Sequence, residues 1–109
     1  MSRSSTTTRK KGRSLPVPNP HPGEILFEDL MKPLGMSQNA LARALKVPPR
    51  RINELVHGKR SVSADTDLRL ARYFNLHEGF FLGLQADYDL MAQKRKLGDR
   101  LDEIKPRAA

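Results

Sequence analysis

"KVPPRRINELVHGKR" spans Lys46–Arg60 and sets two adjacent prolines directly before two adjacent arginines. Proline suits the first position of a helix, where its missing N–H would have no partner anyway. Pro49 takes that position in a helix carrying Ile52, Leu55 and Val56 at helical spacing and ending at Gly58. Pro48 holds Val47 extended, so a preceding helix cannot run through it. The two prolines therefore mark where one helix ends and the next begins. No Ser, Thr, Asp or Asn stands at position 48 to cap the new helix, an absence that costs about 1 kcal/mol.

Working outward from this corner, "SQNALARAL" supplies the preceding helix, with Ser37 as N-cap and Leu41, Ala42 and Leu45 as its buried stripe. Further upstream, "GEILFEDLMKPLG" reads as a short helix from Glu24 that stops at Pro33 and Gly35. Downstream, "SADTDLRLARYF" is a fourth helix capped by Ser63, with Asp65 and Asp67 in the first turn where the dipole favours acids. "HEGFFLGLQADYDLMAQKRK" is a fifth and longer helix, with Phe80, Phe81, Leu84 and Tyr88 on its apolar face. Part of that face is a candidate contact between two copies, because a small domain has limited interior. No segment reads as a strand. The expected class is all-α: five helices over residues 21–97, a flexible basic arm at 1–20 and a tail at 98–109 with room for one more short turn of helix.

A short connection between the second and third helices makes a tight corner of the helix-turn-helix kind. The outward residues of the third helix suit base edges: Arg to guanine and Asn to adenine, each bidentate. Pro49, Arg50, Arg51, Asn53 and Glu54 are thus the candidate base-reading set, and Lys59 and Arg60 are placed for phosphate. The plainer reading of these residues is a solvated helix face with ordinary charges.

Charge placement favours a polyanion. The formal net charge is +8. Residues 1–20 carry five bases (Arg3, Arg9, Lys10, Lys11, Arg13) and no acid, residues 21–60 seven bases and four acids, and residues 61–109 eight of each. The excess lies in the first sixty residues, and nucleic acid is the first partner to consider. The Ser-, Thr- and Pro-rich arm is too polar to order itself, and Pro16, Pro18, Pro20 and Pro22 should be extended. It serves either as a solubilising tail or as an arm that tracks phosphate or the minor groove.

Other chemistry has little support. Without cysteine there are no disulfides, thiolate metal sites or thiol catalysis. His21, His57 and His77 lack metal-ligand spacing, and no nucleophile motif surrounds any serine. Asp87 and Asp89 are two apart on a helix and do not face each other. No apolar run is long enough to span a membrane, and the basic N-terminus lacks the apolar stretch of a secretory signal. The expectation is a cytoplasmic, non-enzymatic chain without cofactor or metal.

"SQNALARALKVPPRRINELVHGKR" resembles the Cro/repressor-type helix-turn-helix. Together with "HPGEIL" before it and "FFLGLQADYDL" after it, it resembles the HigA antitoxin family over roughly residues 20–92. That resemblance implies a dimer that binds operator DNA, represses its own operon and neutralises a HigB-like toxin, a ribosome-dependent mRNA endonuclease. It places Ser37 and Gln38 at a phosphate and Pro49, Arg50, Arg51, Asn53 and Glu54 at the recognition positions. Three residues depart from the pattern: Lys46 stands where glycine is usual, Asp67 where a small apolar residue is common, and Phe81 where tryptophan is common. A stand-alone regulator with no toxin would carry the same DNA chemistry. A small basic RNA-cleaving toxin is a third possibility, but it would need a sheet.

Overall fold

A computed structural model describes residues 17–108. Most of the basic arm, residues 1–16, lies outside the described residues. The helices are α1 (Pro22–Ile25, continuing as a π-helical stretch over Leu26–Met31), α2 (Gln38–Leu45), α3 (Pro49–Val56), α4 (Ala64–Phe74) and α5 (Phe80–Leu97), followed by a 3-10 segment over Gly98–Glu103. The described residues contain no strand.

The caps form as the sequence predicts at two helices. The Ser37 hydroxyl accepts the Ala40 N–H at 3.1 Å, and the Ser63 hydroxyl accepts that of Thr66 at 3.3 Å. Pro49 opens α3 after an extended Pro48 (φ −62°, ψ 141°). Leu26, Met31, Leu41, Ile52, Leu55 and Leu70 are all 0% exposed and form the centre of the core. Burying each side chain of this size contributes about 1.5–3 kcal/mol, so Ile52 and Leu55 anchor α3 firmly.

The first helix begins two residues earlier than its apolar pattern indicates. Pro22 is the first helical residue, not part of an extended arm, and the His21 ring caps it by accepting the Gly23 N–H on Nδ1 at 2.9 Å. The same ring meets Tyr88 of α5 edge-on, with centroids 4.9 Å apart. Burial pushes the His21 pKa below its ordinary value, against the opposing pull of Asp89 and Glu24. This favours the neutral ring that the cap requires. The last residues of the presumed arm are also held. The Asn19 side chain donates to the Tyr88 carbonyl at 3.1 Å, and Arg95 donates to the Val17 carbonyl.

The fifth helix begins at Phe80, later than the sequence pattern predicts. Gly79 precedes it with φ 96° and offers no capping side chain. The cap comes from Asp67 of α4, which is 1% exposed. Its carboxylate accepts the N–H groups of Gly79 (2.6 Å), Phe81 (2.8 Å) and Leu82 (3.0 Å).

Lys46 is left-handed (φ 60°, ψ 47°), the conformation that glycine would take without strain. The α2 terminus closes around it, with Val47 N–H reaching the Ala42 carbonyl at 3.0 Å and Lys46 N–H the Arg43 carbonyl at 3.2 Å. A left-handed non-glycine residue costs about 1–2 kcal/mol, less the greater unfolded-state freedom of glycine. Lys46→Gly is therefore expected to stabilise the domain by about 0.5–1 kcal/mol. Urea unfolding would check it, and a fall in midpoint would show that the lysine side chain outweighs the strain.

Candidate nucleic-acid interface

The corner between α2 and α3 leaves one side of α3 exposed, and most of its side chains there are polar or charged. Ile52 and Leu55 face the core, while Pro49, Arg50, Asn53, Lys59 and Arg60 are exposed and Arg51 and Glu54 are half-buried. Gln38, at the first position of α2, joins this surface. Its Oε1 accepts from Asn53 Nδ2 at 3.0 Å. The bond ties the two amides together, and the Asn53 oxygen, the second Asn53 N–H and the Gln38 NH2 remain as further hydrogen-bonding groups. The Ser37 hydroxyl, in contrast, is already used as the α2 cap.

The arginines are paired. Glu54 accepts from Arg50 Nε at 2.9 Å on one oxygen and from Arg60 at 2.8 and 3.0 Å on the other. Hydrogen bonds from Arg50 and then Arg60 hold its pKa below the usual carboxylate value. Glu54 thus positions two cations. Among the described residues its Oε2 accepts only the one bond from Arg50, so a lone pair there remains for a base-edge donor. Arg51 is bound by Asp65 of α4, which also receives Arg69 Nε at 2.9 Å. Those two guanidinium groups, Arg51 first, likewise lower the Asp65 pKa.

Asp65 and Arg69 escape a reading restricted to the helix pair. Their i,i+4 spacing is visible in the sequence, but Arg69's second role is not. Its NH1 donates to the Leu45 carbonyl at 2.7 Å, bracing the turn that contains Lys46.

Of the apolar face expected to meet a second copy, Phe81 is used within the chain, while Phe80, Leu84 and Tyr88 are half-buried. Phe81 is 1% exposed and belongs to the core, so it is not available to a partner. Phe80 and Leu84 pack against that core, and Tyr88 against His21. Along this part of the chain the large apolar side chains most exposed to solvent are Leu82, Leu90, Leu101 and Ile104.

The helix-turn-helix family pattern matches residues 27–81, which contain the whole corner. The chain belongs to that family. It is 52% identical over 81 residues to virulence-associated protein I of Dichelobacter nodosus, covering 73% of this chain and 75% of that one. Among solved structures, the antitoxin HigA of Pseudomonas aeruginosa with the higBA promoter is 38% identical with a TM-score of 0.79, covering 84% of this chain and 100% of that one. A HigA-family addiction-module antidote protein from Coxiella burnetii is 39% identical at a TM-score of 0.79, with the same coverage. The chain is thus a helix-turn-helix protein of the HigA type, in a family of DNA-binding regulators rather than enzymes. No helix of the described residues is long and apolar enough to cross a membrane.

Proposed function

We propose that this chain is the antitoxin of a HigBA-like pair, acting in the cytoplasm as a homodimer that binds and represses its own operon. The supporting observation is the mounting of α3. Ile52 and Leu55, both 0% exposed, lock the helix while Arg50, Arg51 and Asn53 stand on its outer side. In this reading α3 enters the major groove. Arg50 and Arg51 meet guanine O6/N7, and Asn53 meets adenine N6/N7. Gln38, Lys59 and Arg60 fix the register on phosphates, with the exposed N-terminus of α2 at Ser37 alongside. The HigA structure solved with its promoter supports the operator half of the reading. The toxin half rests on similarity to HigA-type antitoxins, and the partner is a HigB-like protein.

Two assays test it. Purified protein is expected to prefer its own promoter over a random duplex, with affinity falling steeply as salt rises. Arg51→Ala is expected to weaken promoter binding by about 1–3 kcal/mol. Equal binding of promoter and random DNA at moderate salt would exclude the repressor half. The adjacent gene is expected to encode a small basic toxin, and co-expression of this chain with it is expected to restore growth. Failure of that rescue leaves a stand-alone regulator.

A further inference from the structure

We propose that Asp65, on α4 and outside the helix-turn-helix pair, is a specificity-determining positioning residue that acts through Arg51. The inference rests on the DNA-binding reading above. Of the two arginines on α3, Arg50 has a side chain 83% exposed, whereas that of Arg51 is only 26% exposed. Asp65 Oδ2 receives the Arg51 guanidinium and, on the same oxygen, Arg69 Nε at 2.9 Å. Arg69 NH1 in turn holds the Leu45 carbonyl at 2.7 Å. The recognition helix, the helix-turn-helix corner and α4 are thereby joined through one carboxylate.

This arrangement has two consequences for recognition. Arg51 loses rotamer freedom before DNA arrives, so less is lost on binding. Any phosphate must also approach against a carboxylate that already holds the guanidinium by NH1 and offsets part of its charge. A lone phosphate contact replaces one anion with another and gains little. A guanine edge is uncharged, so Asp65 does not repel it, and its two coplanar acceptors can take the guanidinium N–H groups that lie outside the NH1 bond to Asp65. Asp65 also brings a negative charge beside Arg51, which disfavours indiscriminate contact with the backbone. The result is weaker binding to arbitrary DNA at little expense to the chosen site.

The test uses the full chain, with a promoter duplex and a random duplex of equal length titrated over a salt series. Asp65→Asn is expected to raise random-duplex affinity roughly threefold, steepen its log–log salt slope by about 1 and lower the promoter-over-random ratio roughly threefold. Asp65→Glu should retain most of that ratio. In an Arg51→Ala background, Asp65→Asn should leave the ratio unchanged, because the residue it acts through is gone. An equal shift on both duplexes would reduce Asp65 to an ordinary charge and overturn the proposal. An undiminished effect in the Arg51→Ala background would overturn it as well. If the unaltered protein shows no promoter preference, it is the DNA-binding reading that fails. A DNA-free measurement then still decides the coupling. By NMR titration the Asp65 carboxyl should sit below the usual carboxylate range and rise when Arg51 is replaced, and no rise overturns the pairing.

Discussion

Gly23→Ala is expected to destabilise the domain by about 3 kcal/mol or more, the upper end for overpacking, and to weaken promoter binding in whatever remains folded. A Cβ at Gly23 would lie 1.7 Å from the Leu55 carbonyl oxygen, 2.5 Å from the Leu55 carbonyl carbon and 3.1 Å from the Val56 Cα. Ordinary carbon contacts need about 3.5–4.0 Å. All three neighbours are backbone, so no side chain can swing aside. Either α1 moves away and loses the burial of Leu26, or α3 moves and its outward arginines lose their aim. Gly83→Ala is the internal control. Nothing lies within 4 Å of its Cβ, and Gly83 is within α5. There the same substitution should stabilise by up to about 1 kcal/mol through helix propensity. Urea midpoints at constant m-value would measure both. Two shifts of the same sign would contradict the packing argument.

This contact explains a motif that could be recognised but not understood from the sequence. In "HPGEIL", His21 caps, Pro22 occupies the first helical position, and Gly23 lets α1 approach the end of the recognition helix. Local grammar was legible where it was local. Ser37, Ser63 and Pro49 act within their own helices, and the three-residue link between α2 and α3 leaves little choice of geometry. The left-handed turn at Lys46 could be anticipated for the same reason, from the glycine usually found there. Contacts across the chain were not legible. The partners of Gly23 lie more than thirty residues away, and Arg69 reaches back twenty-four residues to Leu45. Propensity and periodicity carry no information about such distances. The candidate site follows the same division. Arg50, Arg51 and Asn53 are identifiable from their positions on one helix, and the i,i+4 spacing of Arg50 and Glu54 is legible there too, but the hold of Asp65 on Arg51 emerges only in three dimensions.

Asp67→Ala is expected to cost about 3–5 kcal/mol, although it installs the small apolar residue common at this position in the family. Asp67 is 1% exposed, and its carboxylate is the cap that Gly79 cannot provide. A hydrogen bond to a charged group contributes about 1.5–3 kcal/mol, and Asp67 accepts three. The sum is not additive, because a frayed first turn can rehydrate some of the freed N–H groups. Rehydration has a structural consequence, since it requires water beside Phe81, which is 1% exposed in the core. Fraying and loss of Phe81 packing are therefore coupled, and α5 should loosen from α4 as a unit. Against a total stability of about 5–15 kcal/mol for a native domain, this is a large fraction. The melting temperature should fall by more than about 12 °C. Asp67→Asn should fall between alanine and the native residue, because its amide oxygen can still accept while its NH2 faces other donors. Amide hydrogen exchange gives the sharper readout. Protection should collapse first at Phe81 and Leu82 and only later at Ile52 in α3. A uniform loss across all five helices, or a change in stability below about 0.5 kcal/mol, would mean that α5 is held by its apolar face alone.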